Sequence, residues 1–200
     1  YLDAYNGHHA APSLGAPDAV TGQVNGAQYF DGADGLNVPA HTDFDFGVGD
    51  SFSFASWIKV DPHDPPQNEM IIGRDGGASS SVHWWIGLGD SPGVATFVCI
   101  ASDGSGGSGG DFLVGPTDLR DGLWHYVVVV REAGGTSRLY VDAGLEAEKT
   151  VNYTAGFEAS TPLTIGWFNL SGNYEMEGNI DELAVYSRAL EFPEIQQQYL

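Results

Sequence analysis

The chain has 200 residues, enough for one domain with a buried core, and carries 27 acidic against 7 basic residues for a formal net charge of -20. So negative a surface repels nucleic-acid phosphates and anionic lipid headgroups, which excludes both as direct partners. No apolar run approaches the length that crosses a bilayer, so direct membrane insertion is excluded as well.

Taken in chain order, short apolar runs punctuated by glycine and proline predict strands over residues 27–30, 36–38, 51–60, 69–74, 82–88, 95–101, 112–115, 124–132, 137–142, 163–168 and 175–187. Only the last dozen residues read as helix. Pro193 is tolerated in its first turn, Ile195 and Tyr199 fall on one side to dock, and Glu191 is a poor capping residue at its start. The fold class is therefore all-β, a two-sheet sandwich with a short C-terminal helix. The Gly/Ser stretch at 103–111 has linker composition, but it is too short and too closely flanked by strands to divide two domains, so residues 1–200 read as one.

Period-two alternation assigns the faces. In the run 124–131, Trp124, Tyr126, Val128 and Val130 share one side, read as core, and His125, Val127, Val129 and Arg131 share the other. Phe52, Phe54 and Ile58 point inward with Val82, Trp84, Ile86 and Leu88, leaving Trp57, His83, Trp85 and Tyr140 on the opposite side. In the closing strand, Ile180 and Tyr186 point one way and Asp181, Leu183 and Val185 the other. A carboxylate among apolar residues is costly unless something positive meets it, and so few basic residues favour a metal ion over a salt bridge for Asp181.

Six blocks occur in a recognisable order: Phe30-Asp31-Gly32, the strand from Phe52 to Lys59, Gly122-Leu123-Trp124-His125-Tyr126, Leu139-Tyr140-Val141-Asp142, Leu163-Thr164-Ile165-Gly166 and Ile180-Asp181-Glu182. With them the chain resembles a laminin-G-like jelly-roll domain of the concanavalin A-like superfamily. The resemblance implies an antiparallel jelly roll, an extracellular or cell-surface location, and a place within a larger secreted or surface protein. The opening Asp3-Ala4-Tyr5-Asn6-Gly7-His8-His9-Ala10 resembles the loop that follows a first strand in this family, so the chain is expected to be a piece of something longer. The resemblance also implies a structural calcium ion held by Asp181, by Asp31 or Gly32, and by the Asp3 to Asn6 loop, with Asp34 in reserve. The competing reading is that Asp31 and Asp34 make turn hydrogen bonds.

Three functional classes follow. A sugar-binding module leads on family precedent. Aromatic rings stack on the C–H faces of sugars while neighbouring polar groups bond their hydroxyls, which makes Trp85, Trp57, His83, His125 and Tyr140 candidates and Trp167, with Phe168 and Tyr174, a second patch. Against it stands the reading that loops cover this face and make a second small core, favoured for Trp57. An adhesion or decoration module of a surface filament, pilus or viral spike is the alternative, with another surface protein as partner. A glycoside hydrolase or lyase is the third. The hydrolases of this superfamily carry a Glu-x-Asp-x-Glu run, which is missing here; Glu175-Met176-Glu177 lacks the central Asp, so the chain reads as non-enzymatic.

Other chemistry finds little support. His8 and His9 are adjacent in a glycine-flanked loop with no Cys or His at metal-ligand spacing, so no zinc site is expected. Cys99, the single cysteine, lies in an apolar strand and reads as a buried thiol. Asn152-Tyr153-Thr154 and Asn169-Leu170-Ser171 are glycosylation sequons. The acidity fits either a halophilic origin or an acidic extracellular module that uses calcium.

Overall fold

The computed structural model describes residues 1–63, 68–75, 82–89, 93–101, 110–151, 156–168 and 174–200, with backbone alone at 82–83, 98–101 and 110–111. The strands are β1 (Ala11–Pro12), β2 (Asp18–Thr21), β3 (Gly26–Asp31), β4 (Leu36–Val38), β5 (Phe52–Lys59), β6 (Glu69–Asp75), β7 (Val82–Leu88), β8 (Val94–Ala101), β9 (Gly110–Asp118), β10 (Trp124–Arg131), β11 (Thr136–Val141), β12 (Gly144–Thr150), β13 (Leu163–Ile165) and β14 (Glu177–Tyr186). A 3-10 turn at Thr42–Phe44 and helix α1 (Phe192–Tyr199) complete the elements. They form two seven-stranded antiparallel sheets, β1-β4-β13-β6-β7-β8-β9 and β12-β11-β10-β5-β14-β3-β2. The isolated sheets could not bury their apolar faces alone, and stacking them closes the core of a jelly-roll sandwich. Among the described residues no helix is long and apolar enough to cross a membrane.

Between the sheets Phe52, Phe54 and Ile58 of β5 and Val127 and Val129 of β10 meet Trp84, Ile86 and Leu88 of β7. The Phe54 and Trp84 rings lie 4.7 Å apart and Phe46 stacks on Phe52 at 4.6 Å, geometry worth about 0.5–1.5 kcal/mol per pair beyond burial. The face expected for β10 is corrected here. Val127 and Val129 point into the main core, whereas Tyr126, Val128 and Val130 join a second cluster with Ala55, Trp57, Tyr140, Leu190 and Ile195. Four consecutive valines carry no alternation, and both faces of this strand are covered, so apolar character could not choose between them.

That second cluster lies under α1 on the outer face of the second sheet. Ile195 is fully buried, Tyr199 stacks on Trp57 at 5.5 Å and Phe192 stacks on Tyr140 at 6.0 Å. The helix start is better held than Glu191 suggests: the Glu194 carboxylate accepts the Glu191 N–H at 2.8 Å and both arms of Arg188 at 2.7 Å. These contacts hold the Glu194 carboxyl down at about 2, the paired Arg188 first and the Glu191 N–H second.

In β14 the expected alternation fails. Asp181 pairs with Trp57 but Ala184 pairs with Ala55, a register shift that coincides with Glu182 at φ 49°. The extra residue of this bulge flips the strand. Leu183 and Val185 rejoin Ile180 on the core side, and Asp181 does not share their face.

Candidate functional site

With α1 over the second sheet, the outer face of the first sheet carries the other grouping of rings and polar side chains. Cross-strand register sets Asn37 of β4 beside Thr164 of β13, Thr164 beside Gly73 of β6, and Gly73 beside Trp85 of β7, one row on one face. A Cβ at Gly73 would lie 2.7 Å from the Phe168 ring, so this glycine is the gap into which Phe168 drops. Phe168 and Trp85 are both buried there, clustered with Met70 and Tyr174.

In front of them lies a small cleft of ≈ 80 Å³ lined by Asn37, Asp75, Thr161, Pro162, Thr164, Trp167 and Phe168. The half-buried Trp167 indole lies flat on Gly35, where any Cβ would collide with the ring. Its Nε1–H donates to the Leu36 carbonyl and to Asn37 Oδ1, each at 3.2 Å. This fixes the Asn37 Oδ1 as an acceptor, so its NH2 group is the donor side of an amide that lines the cleft. Thr164 Oγ1–H donates to the Gly73 carbonyl at 3.0 Å, and Thr161 donates to the Asp75 carbonyl.

The cleft wall is anchored from behind by Arg74, a residue that sequence reasoning missed. Only 1 % exposed, it donates from Nε to the Thr161 carbonyl at 3.1 Å, from Nη1 to the Phe44 carbonyl at 3.0 Å and to Asp45 at 2.7 Å, and from Nη2 to the Ala159 carbonyl. A charge this buried needs such complete pairing. The position of an arginine at the end of a strand was the available signal.

The expected aromatic set does not form one site. Trp57 and Tyr140 lie beneath α1, and Trp85 lies on the other outer face of the sandwich, only 8 % exposed. His83 sits opposite Asp75 in β7, with its side chain outside the described residues. His125 holds a corner: its ring nitrogens meet Asp142 Oδ2 at 2.8 Å and Asp121 Oδ1 at 3.1 Å. Burial pushes its pKa down, but the two carboxylates outweigh that and the net shift is upward. Trp167, expected as the lesser patch, is the indole that lines the cleft.

The expected calcium set is also divided. Asp31 pairs with Glu177, four residues before Asp181 along β14, which sets the two backbone positions about 13 Å apart along the strand direction at the usual strand rise. Asp181, 4 % exposed, reaches the β2–β3 turn, where Oδ2 accepts the Val24 N–H at 2.8 Å. A backbone donor meets the buried carboxylate. Asp3 caps its own loop, accepting the N–H groups of Tyr5, Asn6 and His8 at 2.9–3.0 Å, and these bonds, Tyr5 first, lower its pKa. Asp31 accepts from Ala33 N–H at 2.9 Å and Asp34 from Asp31 N–H at 3.1 Å, while Gly32 takes φ 82° and donates to the Met176 carbonyl. The six residues therefore do not fit a single calcium ion, and nothing below depends on one.

Asp31 and Asp34 are neighbouring carboxylates, and burial raises the pKa of Asp34, but Asp34 packs against Gly15 in a turn and not in the cleft. The side chain of Cys99, both sequons and the 103–109 stretch lie outside the described residues.

A family model described as the concanavalin A-like lectin/glucanases superfamily, laminin G type, matches residues 23–196. No curated protein sequence matches. Among solved structures, the binding domain of Paraclostridial Mosquitocidal Protein 1 superposes with a TM-score of 0.77 at 15% identity, covering 98% of this chain and 48% of that one. Domain 4 of AbnA, a GH43 extracellular arabinanase from Geobacillus stearothermophilus solved with arabinotriose, gives 0.70 at 16% identity, covering 96% and 88%. The binding domain of botulinum neurotoxin DC, solved with rat synaptotagmin II, gives 0.69 at 14% identity, covering 96% and 47%. The chain thus spans about half the length of the toxin binding domains and most of the arabinanase domain.

Proposed function

The chain belongs to the concanavalin A-like lectin/glucanases superfamily, laminin G type, and on that premise we propose that it is a non-catalytic, extracellular binding module that holds a carbohydrate chain in the Trp167 cleft. The observation that carries this reading is the pairing of a half-buried indole with an oriented amide. The ring offers a flat apolar surface, Asn37 offers donors, and Asp75 sits within reach at the cleft edge. The arabinanase domain with its arabinotriose shows that a sandwich of this shape can hold a saccharide, and that domain serves within a larger secreted enzyme. The reading extends the same arrangement to this chain: a module of a larger surface or secreted protein that attaches it to glycan or polysaccharide.

A glycan array followed by calorimetry tests it. The wild-type chain binds one class of saccharide. Trp167→Ala weakens that binding about ten- to hundredfold, the cost of losing roughly 1.5–3 kcal/mol of ring contact. Undiminished binding by the variant would sink the cleft assignment.

A second reading, protein-to-protein contact, is favoured by a separate observation. Phe112 and Val114 of β9 are 52% and 53% exposed on the outer edge of the same sheet, and the register through Val98 places Phe112 in the row of Trp85. The neurotoxin domain solved with synaptotagmin II is a protein-binding relative of this shape. An array without hits, together with a protein partner whose binding is lost on Phe112→Ser, would select this reading.

A further inference from the structure

We propose that His8, His41 and Asp43 form a binding site for a divalent transition-metal ion of the zinc class. Their ligand atoms all lie within 4.8 Å of one another. His8 Nε2 stands 2.8 Å from Asp43 Oδ2, and His41 Nδ1 stands 3.3 Å from Asp43 Oδ1. A tetrahedral ion with bonds of about 2.0–2.1 Å holds its ligand atoms about 3.4 Å apart, so the closest pair must open by about half an ångström and no pair must close by more than about 1.4 Å, movements within reach of side-chain rotation.

The three side chains come from two segments, and each segment is braced. The Asp3 carboxylate accepts the His8 N–H at 2.9 Å, and the Phe44 ring meets the His8 ring edge-on at 5.0 Å, which together set the direction of the imidazole. His41 caps the 3-10 turn Thr42–Phe44 and Asp43 lies within it, and the His8 and His41 rings pack at 4.3 Å. Ligands held in place by their surroundings bind metal more tightly than free ones. His8 is mostly covered, whereas the His41 and Asp43 side chains are 48% and 47% exposed, so ions can enter and water can fill the remaining position.

The donor set decides which ion. Two imidazole nitrogens and one carboxylate suit zinc, nickel or copper, while calcium takes six to eight oxygens that this trio does not supply. The site shares no residue with the calcium set expected from the sequence. It is independent of the carbohydrate reading, and its effect is structural: the ion would tie the opening loop to the turn whose Phe44 carbonyl and Asp45 carboxylate hold Arg74 behind the cleft.

Calorimetric titration of the tag-free chain with zinc chloride tests the proposal, with cobalt(II) absorption as a report of coordination. One zinc ion binds per chain. His41→Ala and Asp43→Asn each weaken it at least about tenfold, since losing a direct ligand costs no less than losing an outer-shell partner. His9→Gln, in the same loop but outside the trio, leaves zinc affinity within twofold. Millimolar calcium does not displace the ion. Absent zinc binding, equal weakening by His9→Gln, or displacement by calcium would each overturn the assignment. Two ligand variants are used because His41 Nδ1 accepts the Asp43 N–H at 3.2 Å, a bond that its lone pair gives up when it turns to the ion, and its removal could loosen the turn.

Discussion

Trp57→Ala separates the two aromatic faces of this sandwich. The ring is 5% exposed, between Tyr126 at 5.1 Å and Tyr199 at 5.5 Å, so truncation leaves a cavity under α1. Removing a buried tryptophan costs about 3–5 kcal/mol. At about 2.1 cal/mol/K per residue, 200 residues give an unfolding entropy near 0.42 kcal/mol/K, so the melting temperature falls by roughly 7–12 °C. Differential scanning calorimetry measures the fall, and calorimetric titration with the wild-type saccharide, run well below the melting point, shows affinity unchanged within twofold. A variant that melts within about 3 °C of wild type and loses saccharide binding would refute the reasoning, because it would place Trp57 on an open binding face.

Arg120, 8% exposed, donates to the fully buried Glu69 at 2.8 Å, and Glu69 also accepts the Glu177 N–H at 2.9 Å. Arg120→Met strands that carboxylate and costs about 3–5 kcal/mol in urea unfolding, while adding Glu69→Gln recovers most of the loss because the amide is neutral and keeps the Glu177 bond. His125 has its folded pKa raised, so its contribution to stability is fully present below the ordinary imidazole value near about 6.5 and is lost as pH rises through the raised value. The melting-temperature advantage of wild type over His125→Gln should therefore shrink from acid to alkaline buffer; growth in that direction would contradict the ion-pair account. At Glu182, φ 49° favours glycine, so Glu182→Gly leaves stability within about 1 kcal/mol of wild type, whereas Glu182→Val costs about 1–2 kcal/mol by equilibrium unfolding.

The sandwich was legible because strand runs and turn residues alternate plainly along the chain, and the inward set Phe52, Phe54, Ile58, Trp84, Ile86 and Leu88 lies in the core. What failed was local. The Val127–Val130 run has no period to read, and the bulge at Glu182 reverses faces without any glycine to announce it. The short edge strands β1 and β2 and the charged β12 lack apolar patterning, so pairing and not composition defines them. Asp181 was correctly singled out as a buried carboxylate, but its partner is a backbone N–H 157 residues away, a kind of contact that sequence spacing does not record. The same blindness hid Arg74 and the approach of His8 to His41, both made by loops that meet only after the sheets have stacked.

The central claim is that the working face is the outer side of the first sheet at Trp167. The chain has five tryptophans, each giving one indole N–H signal in a nitrogen-15 correlation spectrum. Titration with the strongest array saccharide is predicted to shift the Trp167 indole and the Asn37 side-chain amide while Trp57 under α1 and Trp84 in the core stay in place. Movement of Trp57 with Trp167 unmoved would contradict the account.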